Sequence, residues 1–473
     1  MKPPLDAERP KLKRSIGLWM ATALVVGNMV GSGIFTLPAL LAGEAGPASI
    51  VSLALTGLGA ILLALVFAGL GRKYPHTGGP YVYARKAFGD FAGFWTAWGY
   101  WIAAWAGNAA IAIAFVGYFG VFWGRLDNSN LTAALVAVGL IWLLTLINVL
   151  GARESGWVQV VTTVLKFVPL AAIGVIGLFY IAGDNYTPFA PAGTGFDWHI
   201  NAAATLALWA FIGLESATVP AEEVKDAEKN IPRATILGTL ATTLLYLIAL
   251  VAIIGVLPRV ALANSASPFA DAANVMWSGG FLGLGWGKWI ALVAMASTLG
   301  CLNGWIMLAG RVPLAAANDG LFPKPFAQVS GKRRTPVFAL IVSAVLVTGL
   351  VFMNYNKSLI NQFEQVILLA TLTTLVPYAF SAAAQGYLWI HEREAVNVRR
   401  FVTDMVVASL AFTYSLWAIW GAGQEIIAKG FMLLLFGMPI YVWLKWRQAS
   451  GKEEHLYVPD EFTQPEPPVP TLH

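Results

Sequence analysis

The residues able to do chemistry in this 473-residue chain sit where apolar residues surround them. Lys166 and Glu215 fall within long apolar runs. The stretch Gly27-Asn28-Met29-Val30-Gly31-Ser32-Gly33-Ile34-Phe35 interrupts the first such run with three glycines, an Asn and a Ser. A charged side chain at membrane depth is costly unless paired or solvated, so it marks a functional site by default. Snorkelling is the bland alternative for Lys166, but about ten residues separate it from the nearer end of its run. Glycine in a helix interior costs ~1 kcal/mol relative to alanine. Backbone that leaves the helix in hydrocarbon must find other partners. One reading is a helix broken at Gly31-Ser32-Gly33, with free carbonyls upstream and free N–H groups downstream, from near Ile34. Those ends suit an ammonium and a carboxylate, the polar pair of an amino acid. The other reading is a small-residue helix-packing face. This stretch alone leaves both open.

Other chemistries find less support. The five histidines, His76, His199, His391, His455 and His473, fall in loops, span margins or the tail. No metal, cofactor or membrane-embedded enzyme is therefore expected. No filter-like carbonyl loop or ring of charge suggests a channel. The single cysteine, Cys301, leaves no disulfide framework within the chain.

The elements that must position these residues follow from hydropathy. With 58% hydrophobic residues, 12% charged and a mean hydropathy of +0.67, the chain does not read as a soluble globular protein. Apolar blocks near 16–41, 47–70, 91–122, 131–151, 156–182, 201–221, 234–257, 285–312, 336–354, 363–389, 400–420 and 427–445 are long enough to cross a bilayer. They predict an all-α polytopic membrane protein with twelve transmembrane helices and one transporter-like domain over 16–445. Polar tails flank it at 1–15 and 446–473. The polar, basic N-terminus runs straight into a full span, which does not read as a cleavable signal. If both termini are cytoplasmic, 24 of the 30 Lys and Arg lie on that side, five lie outside and Lys166 lies within span 5. That asymmetry predicts the orientation. It also accounts for the +5 net charge without any nucleic-acid partner.

Span 3 is unusually polar and aromatic, and the spacing of Tyr100, Trp101, Trp105 and Asn108 lets most of them share one face. Asn108 reads equally as an interhelical hydrogen bond or a site residue. Trp305, near the end of span 8, reads as a site wall or a lipid-facing residue. Span 6 holds the second anomaly, Leu208-Trp209-Ala210-Phe211-Ile212-Gly213-Leu214-Glu215-Ser216-Ala217. An apolar run there meets a glycine, an intramembrane carboxylate and then Pro220. Interruptions in spans 1 and 6 lie five helices apart, as inverted repeats would place them, and such a pair points to a midplane site. This favours the broken-helix reading.

These residues resemble the amino acid–polyamine–organocation superfamily, most closely its bacterial basic amino acid and polyamine antiporters. The resemblance rests on Gly27 to Phe35, Tyr100-Trp-Ile-Ala-Ala-Trp-Ala-Gly-Asn108 and Trp209-Ala-Phe-Ile-Gly-Leu-Glu-Ser216. Asn264-Ser-Ala-Ser-Pro-Phe269, Gly304-Trp-Ile-Met-Leu-Ala-Gly310, Ala317-Asn-Asp-Gly-Leu-Phe-Pro323 and Leu375-Val-Pro-Tyr378 extend it in order along residues 16–445. It implies a five-plus-five inverted repeat with broken helices 1 and 6, two extra helices and alternating access. Carried over by position, Ser32 and Gly33 hold the substrate carboxylate, with Met29 and Val30 near the amine. Asn108, Trp209 and Ile212 line the side-chain pocket, and Trp209 also acts as an inner gate. Trp305 forms the opposite wall, while Tyr100 and Glu215 belong to gating and proton sensing. Two positions depart from the arginine-exchanger pattern: Ala370 replaces a serine, and Lys166 replaces a neutral residue. A lysine there looks more like the sodium-independent, sometimes proton-coupled, carriers of the wider superfamily. The expectation is a sodium-independent exchanger of cationic amino acids or polyamines in the plasma (inner) membrane. The alternative is a carrier of neutral L-amino acids, and more remotely a transporter-like sensor. Proton coupling and a homodimer are both compatible with this reading.

Overall fold

The computed structural model describes residues 14, 16–76, 78–124, 129–150, 156–190, 196–330, 335–391 and 398–450. The expected tails (except Arg14 and residues 446–450) lie outside the described residues, as do the loop cations Arg125, Arg153, Lys332, Arg333, Arg334 and Arg393.

Almost all of the rest is helical. Span 1 comprises α1 (Leu18–Met29) and α2 (Ser32–Glu44), followed by α3 (Ser49–Lys73), α4 (Pro80–Gly120), α5 (Asn130–Val149) and α6 (Gly156–Gly177). Span 6 begins with α7 (Phe196–Leu208), and span 7 is α8 (Ala227–Val256). Two short helices, α9 (Arg259–Ala263) and α10 (Pro268–Met276), lead through a two-residue antiparallel ribbon into α11 (Trp286–Asn318). Then come α12 (Val337–Asn354), α13 (Leu359–His391) and α14 (Val398–Gly421). The last span divides into α15 (Gln424–Leu435) and α16 (Gly437–Ala449).

Eleven stretches among the described residues are long and apolar enough to cross a membrane. The expected fifth span corresponds to α6, with an apolar helical stretch over Lys166–Tyr180. The chain is therefore a multi-pass membrane protein, with backbone groups satisfied inside helices as hydrocarbon demands.

The helices pack so that the interrupted spans lie inside. α4 lies along α13 and α11, while α8 lies along α3, α1 and α6. α7 packs on α3 and α14. The outer helices α5, α12 and α14 to α16 keep long apolar faces exposed, as lipid-facing helices do, with Leu143, Val345, Leu416 and Trp420 among the exposed residues.

Three boundaries differ from the sequence reading. α4 starts at Pro80 rather than near 91, and a kink at Gly89, φ +82°, separates its first turns from the span proper. The break in span 1 falls at Val30-Gly31, so Ser32 and Gly33 already belong to α2. The second half of span 6 is not an α-helix: short 3₁₀ turns at Trp209–Phe211 and Ser216–Thr218 flank an irregular stretch.

Each end of the bundle is tied. On one face Ile16 pairs with the chain after span 6: its N–H donates to Glu223 and its carbonyl accepts from Lys225, at 3.1 and 2.8 Å. On the same face Arg85 reaches Asp90 at 2.9 Å and Asp319 at 3.2 Å, and Lys445 reaches Asp90 at 2.5 Å. On the other face Arg259 Nε donates to the Ala42 carbonyl at 3.0 Å, and His199 Nδ1 lies 3.0 Å from Glu44 Oε1.

Small residues set the helix spacing. A Cβ on Gly59 of α3 would fall 2.4 Å from the ring of Tyr414 on α14. Overpacking of this kind costs about 1–3 kcal/mol. Gly59→Val is therefore expected to lower the thermal unfolding midpoint of the purified protein. An unchanged midpoint would show that α14 can move away freely.

Candidate functional site

The two breaks meet at the centre. α1 ends at Met29, Val30 turns at φ −76°, ψ 87°, and Gly31 adopts φ −139°, ψ −138° before Ser32 opens α2. In span 6, Ile212 is extended and Gly213 adopts φ +109°, a backbone region that favours glycine. A small cavity lies between them. It is lined by Met29, Ser32, Gly33, Trp209, Ile212 and Trp305, and also by Asn28, Gly31, Ile111 and Cys301.

Close approach explains the glycines. A Cβ on Gly33 would sit 2.8 Å from Ala210 Cα, and one on Gly31 would sit 2.4 Å from Cys301 Sγ. Gly33 is thus a contact residue between spans 1 and 6, while the break itself lies just before it at Val30-Gly31. Ser32 Oγ accepts from Trp209 Nε1 at 3.3 Å, a further link between the spans.

The carbonyls at the end of α1 are held from three sides. Lys166 Nζ of α6, 5% exposed, lies 3.4 Å from the Gly27 carbonyl. The Cys301 thiol of α11 points at the Asn28 carbonyl from 4.0 Å. The hydroxyl of Tyr246 on α8 donates to the Met29 carbonyl at 2.7 Å and approaches the Ala210 carbonyl at 3.1 Å, so one side chain spans both breaks. Asn28 Nδ2 donates to Ser216 Oγ at 2.8 Å, joining them again below the cavity.

Glu215 does not line the cavity. It is fully buried, and three donors occupy its carboxyl group. Tyr100 OH meets Oε1 at 2.5 Å, Tyr378 OH meets Oε2 at 2.5 Å, and the Gly213 N–H meets Oε2 at 3.1 Å. These hydrogen bonds tie spans 3 and 10 to the break in span 6.

Of the sequence-predicted residues, Val30 is buried at the break, and Asn108 is buried one helical turn before the cavity residue Ile111 on α4. Asn108 Oδ1 has no hydrogen-bond partner among the described residues, so a polar acceptor is held beside the cavity in the apolar interior. Gly107 lets the Trp209 indole lie against α4: a Cβ there would be 2.8 Å from Trp209 Cη2. Tyr100 and Trp101, adjacent in span 3, turn to different partners. Trp101 Nε1 donates to Ser343 Oγ of α12 at 3.0 Å, whereas Tyr100 turns to Glu215.

Sequence reasoning missed Asn28, Ile111, Cys301, Tyr246 and Tyr378. Signals existed for some: Ile111 follows Asn108 by three residues, and Cys301 precedes Trp305 by four, so each shares its neighbour's helix face. Tyr246 is the one tyrosine in the apolar run of span 7. Among the described residues no cluster of His, Cys, Asp and Glu is arranged to hold a metal ion.

Comparison with known proteins agrees with this architecture. The family described as amino acid permease matches residues 16–443. A putrescine transporter of Haemophilus influenzae is 33% identical over 91% of this chain and 97% of its own length. A putative arginine/ornithine antiporter of Bacillus subtilis is 33% identical over 92% of this chain and 98% of its own. A cadaverine/lysine antiporter of Escherichia coli is 32% identical over 93% and 98%. With broken helices facing one cavity and a family match that runs from the first span to the last, the chain belongs to the amino acid permease family.

Proposed function

We propose that the protein is a secondary transporter that exchanges cationic amino acids or polyamines by alternating access, without sodium. The observation that carries this reading is the meeting of two helix breaks at a small cavity walled by Trp209 and Trp305. The names of its relatives, a putrescine transporter and two basic amino acid antiporters, favour the cationic class. In this reading the N-terminus of α2, at Ser32 and Gly33, receives a substrate carboxylate through its free N–H groups and positive dipole end. Met29 and Val30 lie near the amine. Trp209, Ile212, Asn108 and Trp305 enclose the side chain, and Trp209 gates the inner side. Tyr100 and Glu215 act in gating, with a proton as the coupling ion. The transport domain covers 16–445, and both tails are cytoplasmic at the plasma (inner) membrane, as the excess of Lys and Arg on that face favours. A homodimer fits this family reading.

A second reading has its own support. None of the ten cavity-lining residues is acidic, and both oxygens of Glu215 already accept hydrogen bonds. A carrier of neutral L-amino acids would use the same backbone ends without any carboxylate in the pocket.

A counterflow panel in proteoliposomes separates the two. Arginine, lysine, ornithine and their decarboxylated amines are expected to outcompete leucine and alanine. The reverse order would overturn the cationic reading. Cation–π attraction at an aromatic face is worth ~0.5–2 kcal/mol. Trp209→Ala should therefore weaken binding of the larger cations by roughly 2- to 30-fold, and Trp209→Phe should do less.

Gly33→Val tests the carboxylate end. A side chain there meets Ala210 backbone, so the spans must part and the N–H donors must shift. The variant is expected to fold, by size-exclusion profile, and to lose substrate binding. Unchanged affinity would remove Ser32 and Gly33 from the site.

Lys166 tests the coupling. Its ammonium lies where a fixed positive charge repels sodium and satisfies a carbonyl of the broken helix. Uptake with choline in place of sodium is expected to be unchanged, whereas Lys166→Ala should lose most transport or alter its pH profile. A strict sodium requirement would refute the first expectation. A fully active alanine variant with the ordinary pH profile would leave Lys166 a structural role only.

A further inference from the structure

Away from the cavity, on the membrane face where α3 ends and α14 begins, cations gather around two aromatic rings. Arg72 and Lys73 lie in the last turn of α3, Lys86 lies near the start of α4, and Arg399 and Arg400 lie in the first turn of α14. Lys73 Nζ stands 5.3 Å from the centre of the Trp389 ring near the end of α13, and the Arg400 guanidinium stands 5.8 Å from the same ring. Lys86 Nζ lies 4.4 Å from the centre of the Tyr74 ring, and Lys73 Nζ lies 5.7 Å from it. The rings thus draw together cations from three helices, α3, α4 and α14, which cation–π attraction permits.

Among the described residues the local charge is positive in sum. Five cations, Arg72, Lys73, Lys86, Arg399 and Arg400, gather here beside Asp404, which lies 3.9 Å from Arg400. Directly toward the membrane the surface turns apolar: Phe88, Tyr387, Ile390, Val398 and Val402 are all exposed. A cationic rim above an exposed apolar band has the chemistry of a phosphodiester above acyl chains. The N-terminal end of α14, carrying Arg399 and Arg400, adds its dipole in the same sense.

We propose that this rim is a binding site for an anionic phospholipid headgroup, with the acyl chains lying along the exposed faces of α13 and α14. Trp389, half-buried between Lys73 and Arg400, takes the interfacial position that amphipathic rings favour. The site is separate from the transport cavity and stands whether or not the cationic-substrate reading holds.

Native mass spectrometry of the full chain, supplied with phosphatidylglycerol and phosphatidylcholine of matched acyl chains, tests it. The protein is expected to retain phosphatidylglycerol in preference. The double variant Lys73→Gln, Arg400→Gln should lose about fivefold of that preference per cation removed. Lys73→Arg should keep it, and phosphatidylglycerol should raise the thermal midpoint of the wild type but not of the double variant. A control pair, Lys324→Gln with Arg447→Gln, removes the same charge elsewhere and should retain the preference. Equal retention of the two lipids by the wild type would overturn the proposal, as would an undiminished preference in the double variant. An equal loss in the control pair would also overturn it, because the effect would then be one of net charge.

Discussion

Hydrocarbon supplies no hydrogen bonds, so every backbone group released by a helix break must be met from within the protein. The rest of this structure depends on that constraint at Val30-Gly31 and at Ile212-Gly213. The α1 carbonyls of Gly27, Asn28 and Met29 are met by Lys166, Cys301 and Tyr246, from α6, α11 and α8 respectively. An amide–carbonyl bond in an apolar medium is worth ~4–6 kcal/mol relative to none. Packing three helices around one broken one is the structural response to that magnitude. The glycines then read differently from hinges alone. Gly31 and Gly33 allow Cys301 and Ala210 to come within reach, which brings the capping donors close enough to act.

Span 6 meets the same demand by a different route. Its freed Gly213 N–H is taken by the carboxyl group of Glu215, two residues along the same chain. A single carboxyl group has capacity to spare, and Tyr100 and Tyr378 occupy it from α4 and α13. Phe67 of α3 packs edge-on against the Tyr378 ring, with centroids 5.3 Å apart, so this polar knot is closed off by apolar contact. A buried network with its members satisfied rigidifies what it joins. Glu215 thus belongs to the frame that holds the break open, at one remove from the cavity surface.

How much of this was legible in the sequence depends on the kind of signal. Polar or charged residues in apolar runs stand out one at a time, which is why Lys166, Glu215 and the Gly27–Phe35 stretch could be singled out and why the spans could be counted. Positions within the break could not be fixed to the residue. Val30-Gly31 and Gly31-Ser32-Gly33 satisfy the same composition, and only Ala210 lying against Gly33 assigns that glycine to packing. Partners distant in sequence were illegible for a different reason. Nothing local tells that Tyr246 serves Met29 or that Tyr378 serves Glu215, because both are tertiary meetings of ordinary helix residues. Neighbouring residues on a helix point about 100° apart, which sends Tyr100 to Glu215 and Trp101 to Ser343, two partners that the spacing within span 3 does not name.

Tyr246 shows how the two breaks are coupled mechanically. A phenol has one proton to give, yet two carbonyls lie within reach, Met29 at 2.7 Å and Ala210 at 3.1 Å. The proton is therefore shared, and any shift that shortens one bond weakens the other. Asn28 with Ser216, and Ser32 with Trp209, add direct side-chain links between the same two spans on either side of it. Three polar connections bridge α1 and α2 to the interrupted part of span 6, while Gly33 holds the backbones in contact there. A displacement of one broken span must break these links or carry the other span with it. Hydrocarbon offers no replacement for these bonds, so they hold the two interrupted helices to each other.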